Sequence, residues 1–239
     1  MISIERRFRG PDRSGNGGYT AGTLADAVDA STVTVTLRRP PPLESPLELV
    51  PDGAGVRLLD GDAVVAVAGP GVLSYEPAAP VSYDVAVEAS KGYRGFAAHP
   101  FPGCFVCGPA RDEGDGLRLF AGPVEGRDGT VAAGWLPTTA FTAAGRELSN
   151  SILWSALDCP GGWSIDLIDR PMVLGRITAT VHAAPAVDEP CVIVGRSHGG
   201  EGRKAFTSAA LYNAAGTLLA RANHTWIAVD PAAINKLLT

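Results

Sequence analysis

Apolar and polar residues alternate with a period of two through Val33-Thr34-Val35-Thr36-Leu37 and again through Ile177-Thr178-Ala179-Thr180-Val181. This is the pattern of strands with one buried face. The two stretches stand 144 residues apart, Val33 against Ile177, and the match continues at the same offset. Leu43 to Val50 lines up with Val187 to Val194, with Pro46 against Pro190, and Pro41 and Pro185 fall in the gaps before them. Further on, Leu58-Leu59-Asp60-Gly61 matches Leu211-Tyr212-Asn213-Ala214 as a hairpin turn, and strands Ala63 to Ala68 and Thr217 to Ala222 follow. Alternation alone would say little. The shared order of proline, acidic and apolar positions predicts an internal repeat rather than two unrelated β-rich stretches.

One helix precedes each copy. Asn16 is placed to cap Gly17 to Val28, and Ser149 or Asn150 to cap Ser151 to Asp158. The second helix is expected to stop near Cys159, because Pro160 disfavours helical geometry in the residue before it and Gly161-Gly162 follows. Both helices are rich in Ala, Gly and Leu and poor in charge, so they should be buried. The predicted fold class is α+β: two units, 1–98 and 99–239, each a curved antiparallel sheet around one central helix. They are separated by a linker around Glu88 to Gly103 that contains Gly92, Gly95, Pro100 and Pro102.

Composition narrows the function. The chain has 239 residues, 46% of them hydrophobic, enough for a sizeable core. Its 25 acidic and 20 basic side chains leave a net charge of −5, which provides no field for a nucleic-acid backbone. No apolar run reaches the roughly 18 residues a membrane span needs, and Glu5-Arg6-Arg7 interrupts the start, so a soluble cytoplasmic protein is expected. Four cysteines are too few for a disulfide framework and fit a reducing compartment.

A buried helix wrapped by an antiparallel sheet, present twice, resembles the hotdog fold, and the tandem copy resembles the double-hotdog acyl-CoA thioesterases. Cys104-Phe105-Val106-Cys107-Gly108-Pro109, followed by Gly116-Leu117-Arg118-Leu119, is similar to the opening signature of hotdog domains related to the phenylacetate-pathway thioesterases, where a Gly-Leu strand follows. In that family a His-Gly-Gly triplet starts the helix and an acid lies nine positions after its His. Here Ser149-Asn150-Ser151 stands in the triplet's place with Asp158 nine after Ser149, whereas the first copy has Asn16-Gly17-Gly18 with Ala25 nine on and Asp26 beyond it. The resemblance implies a composite site, with glycine-led amides from one half and the carboxylate from the other. The opposite combination, Ala25 or Asp26 with Ser149 to Ser151, would be altered.

Thioester hydrolysis needs donors for a carbonyl oxygen that becomes anionic, and a base or nucleophile. The first-turn amides at Gly17, Gly18 and Tyr19 suit the first task, because they lack intrahelical partners at the positive end of the helix dipole. Asp158 suits the second. Its expected place at the helix end, four residues after Trp154, would favour the neutral acid through dipole and desolvation. It is read either as general base or nucleophile, or as a partner for backbone at the Pro160 turn. Asn16 caps the helix or orients substrate, and Tyr19, Ser149, Asn150 and Trp154 are candidate substrate contacts, with core packing the other reading of Trp154. Arg6, Arg7, Arg9, Arg13, Arg38 and Arg39 are candidates to meet phosphates or are solvated surface charges.

Cys104 and Cys107 read as a packed turn, with no metal or cofactor expected. A zinc site normally takes four ligands, and Cys159, Cys191 and the four histidines are scattered in sequence. A dehydratase would require a His paired with an acid, and no His falls on either predicted helix. The reading is therefore an acyl-CoA thioesterase, the alternative being a non-catalytic protein that binds an acyl-CoA or carrier-linked acyl group. Exposed sheet edges imply a homo-oligomer by analogy.

Overall fold

Ten strands form one antiparallel sheet in the computed structural model, which describes residues 1–143 and 147–230. In chain order the strands are β1 (Val33–Leu37), β2 (Glu48–Asp52), β3 (Gly55–Asp60), β4 (Ala63–Pro70), β5 (Gly122–Pro123) and β6 (Thr130–Trp135). There follow the short hairpin β7 (Thr142–Ala143) and β8 (Glu147–Leu148), and then β9 (Met172–Val181), β10 (Cys191–Glu201), β11 (Lys204–Asn213) and β12 (Leu218–Ala228). The sheet order is β2-β3-β4-β1-β9-β12-β11-β10-β6-β5. Strands of the first half thus lie together and meet those of the second half along a single seam, β1 against β9. At that seam Thr34 stands opposite Thr178, the residue the sequence match aligns with it, with their Oγ1 atoms 2.8 Å apart.

Two helices, α1 (Gly17–Ala25) and α3 (Asn150–Trp163), pack against each other on the same side of the sheet. Glycine lets them approach closely. A Cβ on Gly18 would lie 2.6 Å from Asp158 Cβ and 2.7 Å from the Trp154 carbonyl oxygen, and one on Gly22 would lie 2.6 Å from Ser151 Cα. The contacts run in opposite senses, so the start of α1 faces the later turns of α3.

The expected stop of α3 near Cys159 is corrected: the helix passes through Pro160 and ends at Trp163, while α1 is shorter than expected and ends at Ala25. Proline removes one helical donor, which costs stability, but here tertiary packing prevails. The Pro160 carbonyl sits where a Cβ on Gly195 would come within 2.1 Å, while Gly161 packs on His224 and Gly162 on Trp226. Bare backbone thus lets the last turn lie flat on β10, β11 and β12. Ser164 ends it, with its amide and hydroxyl both donating to the Gly161 carbonyl.

The opposite face of the second half is covered by α2 (Tyr83–Lys91), a helix that occupies part of the stretch expected to be linker and that the sequence pattern did not suggest. Ser82 caps it. Its layer buries Ala86 with Ala132, Val192, Val194, Ala210 and Tyr212, whereas Cys191, Ile193, Ala209 and Leu211 face α3. After α2 the chain loops through Cys104–Cys107 into the main core, where Phe105 is fully buried. The Gly116 to Leu119 segment is not a strand, which corrects that expectation; Leu117 and Leu119 donate instead to the Phe105 and Val106 carbonyls. Among the described residues no helix is long and apolar enough to cross a membrane.

Candidate functional site

Where α1 begins against the third turn of α3, Asp158 is 2% exposed. Its Oδ2 accepts hydrogen bonds from the Gly18 amide at 2.9 Å and Asn16 Nδ2 at 3.1 Å. Its Oδ1 is buried and has no hydrogen-bond partner among the described residues. Because α3 continues to Trp163, Asp158 is interior to the helix, and the expected contribution of the helix C-terminus does not apply. Burial is what pushes its carboxyl up to about 7; the Gly18 amide opposes the shift, the Cys104 sulfur adds to it, and Asn16 opposes it.

Asn16 does two things at once. Its Oδ1 accepts from the Tyr19 amide at 2.9 Å, the ordinary cap, while Nδ2 holds the carboxylate and also points at Cys104 Sγ, 3.9 Å away. Two of the three amides suggested as oxyanion donors are therefore occupied, Gly18 by Asp158 and Tyr19 by Asn16. Of the three, the Gly17 amide has no side-chain acceptor among the described residues, and Gly17 lines the cleft described next.

A cleft of about 280 Å³ opens on this junction. Asn16, Gly17, Asp158 and Trp163 form one part of its wall, Leu37, Met172 and Leu174 supply apolar surface, and exposed Arg38 and Arg39 stand among its outer residues. Arg7 and Arg9 are engaged elsewhere, Arg7 with Asp115 and the Gly114 carbonyl and Arg9 with Asp12.

The remaining sequence candidates lie outside this cleft. Tyr19 stacks on Phe8 with ring centroids 3.9 Å apart. Trp154 is 2% exposed and packs between the helices, against Gly18 and Gly22. Ser149 and Asn150 sit at the far end of α3, about 12 Å along the axis from Asp158 at the usual helical rise. There Asn150 Nδ2 donates to Asp26 Oδ1 at 2.8 Å in solvent. The two ends of the helix pair therefore carry matching Asn–Asp contacts, one buried at the cleft and one exposed.

The third cysteine is not scattered. Cys104, Cys107 and Cys159 are all buried, with their sulfurs within 4.8 Å of one another, and all three line the cleft beside Asp158. Hydrogen bonds from Cys107 and Cys159 push the Cys104 thiol down; Cys159 is pushed up by its bonds with Cys104 and Cys107, and Cys107 is pushed up chiefly by burial. His99 Nδ1 accepts the Phe101 amide at 2.9 Å, which leaves the ring hydrogen on Nε2, 3.4 Å from Cys107 Sγ. The sequence signal for this group was the helix register: Cys159 directly follows Asp158 on α3, and its sulfur lies 3.8 Å from that of Cys104.

No family model matches the sequence, and no curated protein matches it. Solved structures do match. A protein from Novosphingobium aromaticivorans designated a thioesterase superposes with a TM-score of 0.59 at 13% identity, over 96% of this chain and 94% of its own. A protein of unknown function with a hotdog fold from Alicyclobacillus acidocaldarius gives 0.58 at 15% identity, over 96% and 92%. The tesB protein of Mycobacterium avium subspecies paratuberculosis gives 0.53 at 13% identity, over 92% and 89%. The chain has the hotdog fold.

Proposed function

We propose that this protein is an acyl-CoA thioesterase built as two hotdog units in tandem, 1–98 and 99–239, with one composite site at the Asn16–Asp158 junction. The observation that carries the reading is the Asp158 carboxylate: one oxygen is fixed by Gly18 and Asn16 from the other half, and the second, at the wall of an apolar cleft, has no hydrogen-bond partner among the described residues. The Thr34–Thr178 seam and the matching Asn–Asp contacts support the tandem arrangement. Arg38 and Arg39 suit the phosphates of coenzyme A, and the apolar wall suits an acyl chain. The thioesterase designation of one structural neighbour agrees with this class.

As general base, Asp158 Oδ1 takes a proton from a water whose oxygen adds to the thioester carbonyl carbon. The carbonyl oxygen becomes anionic and is met by the Gly17 amide at the positive end of α1. Collapse of the tetrahedral intermediate breaks the C–S bond, and the proton held by Asp158 goes to the leaving thiolate. As nucleophile, Asp158 would displace the thiolate to form a mixed anhydride, which water opens at the Asp158 carboxyl carbon to release the free acid. Single turnover in ¹⁸O-water separates the routes, since label enters the Asp158 carboxylate only in the second.

The occupied Gly18 amide favours a second reading, an acyl-CoA-binding protein without hydrolysis. A panel of acyl-CoAs, assayed for free thiol and by calorimetry, decides between them. Hydrolysis that falls by about 10²- to 10⁴-fold in Asp158→Asn, with binding retained, is the expected result. Tight binding with no thiol release from any member would replace the enzyme by the binder. Homo-oligomerisation through the edge strands β2 and β5 belongs to the same proposal.

A further inference from the structure

We propose that Cys104, Cys107 and Cys159 bind a thiophilic divalent cation, zinc, with its fourth coordination position open to the cleft. This inference does not depend on the thioesterase reading. Zinc–sulfur bonds of about 2.3 Å in a tetrahedron place sulfurs about 3.8 Å apart. Cys104 and Cys159 Sγ are 3.8 Å apart, and the three sulfurs together fall within 4.8 Å.

Polar donors converge on two of the three sulfurs. Neutral S–H groups need acceptors, yet donors turn toward this group. Asn16 Nδ2 approaches Cys104 Sγ at 3.9 Å, and His99 Nε2 approaches Cys107 Sγ at 3.4 Å. Three anionic sulfurs packed this closely in a buried site would repel one another strongly. A divalent cation among them removes that repulsion, and the thiol protons pass to solvent as it binds.

The loop that carries the pair is held in place. The Gly108 amide closes the Cys-x-x-Cys turn onto the Cys104 carbonyl at 2.9 Å, and Tyr93 Oη donates to the Cys107 carbonyl at 2.8 Å. Arg111, 4% exposed, donates to the Gly103 carbonyl at 2.8 Å. The third sulfur comes from α3, so the metal joins the loop to the helix bearing Asp158. His99 is an outer partner of Cys107 and not the fourth ligand, because the Phe101 amide occupies Nδ1 and Nε2 keeps its hydrogen. With three protein ligands lining the cleft, water or an added thiol completes the shell.

The test measures metal, not turnover. Protein purified under reducing conditions from zinc-supplemented cells should carry one zinc per chain. Exchange into cobalt should give thiolate-to-cobalt charge-transfer absorption and tetrahedral bands that shift when a small thiol is added. Cys107→Ser and Cys159→Ser should lose the metal, while His99→Gln and Asp158→Asn keep it. The cobalt titration of the unaltered chain keeps the proposal falsifiable if the serine variants fail to fold. A fully reduced, folded wild-type chain that takes up neither metal overturns it, as do serine variants that keep full occupancy. Loss of the metal in His99→Gln overturns the open position. Asp158→Asn that keeps zinc and full hydrolysis would defeat the thioesterase mechanism alone.

Discussion

Asp158 is held by one backbone amide and one side chain, those of Gly18 and Asn16. The Gly18 amide touches its Oδ2, and the space a Gly18 methyl would need is already filled by Asp158 Cβ and the Trp154 carbonyl. Gly18→Ala should therefore destabilise the fold by about 1–3 kcal/mol in urea denaturation, the range for inserting a methylene into a packed core. Asn16→Ala should lose about 1 kcal/mol for the cap and, by releasing one of the two donors to the carboxylate, also reduce turnover. His224 offers a titration with a definite sign. It is buried against Thr207, and burial holds its pKa down at about 4, against an unfolded value of about 6.5. Between those values the unfolded chain binds the proton that the native chain refuses, so this contribution is whole above pH 6.5 and is lost as pH falls toward 4. The stability of wild type relative to His224→Gln should fall by up to about 3 kcal/mol over that window, measured by denaturant titration of both proteins. Referring each value to the variant removes the opposite slope that Asp158 contributes.

At the scale of elements, strand alternation was the legible part. The Val33 and Ile177 stretches are strands, and they turn out to be each other's neighbours across the seam. The start of α1 was legible from its Asn16 cap, whereas α3 begins at Asn150 behind Ser149, whose side chain makes no cap bond. The end of α3 was not, because the rule about proline is local and what carries the helix through Pro160 is a strand glycine, Gly195, distant in sequence. Gly195→Ala should thus push β10 off the helix and destabilise by about 3 kcal/mol or more, read from its urea midpoint. The layer formed by α2 also escaped the pattern. In retrospect Cys191-Val192-Ile193-Val194 carries it, since an unbroken apolar run marks a strand buried on both faces. The site was half legible: Asn16, Gly17, Gly18 and Asp158 meet at one place, whereas Ser149, Asn150 and Trp154 do not reach the cleft. Cys159 and His99 were missed because Cys-x-x-Cys spacing reports only the local pair, and the third sulfur arrives by tertiary packing.

Across the whole molecule the main core runs without a break from Ile4 through Val35, Phe105 and Leu157 to Trp226. The Cys104–Cys107 loop bridges the halves, with the Phe105 amide donating to the Arg9 carbonyl at 2.8 Å and its ring set edge-on to Phe8. Neither half closes its own apolar surface. Thermal unfolding should accordingly be a single transition with calorimetric and van't Hoff enthalpies equal, and two resolved transitions would show the halves to be independent. The glycine contact between α1 and α3 extends this coupling to chemistry. Backbone rests on backbone there, so a shift of either helix reaches the carboxylate at nearly full amplitude, with no pliant side chain to absorb it. Substitutions that loosen the interior far from the cleft should then cost turnover and melting temperature in proportion, and selection for speed in such a protein cannot be separated from selection for rigidity.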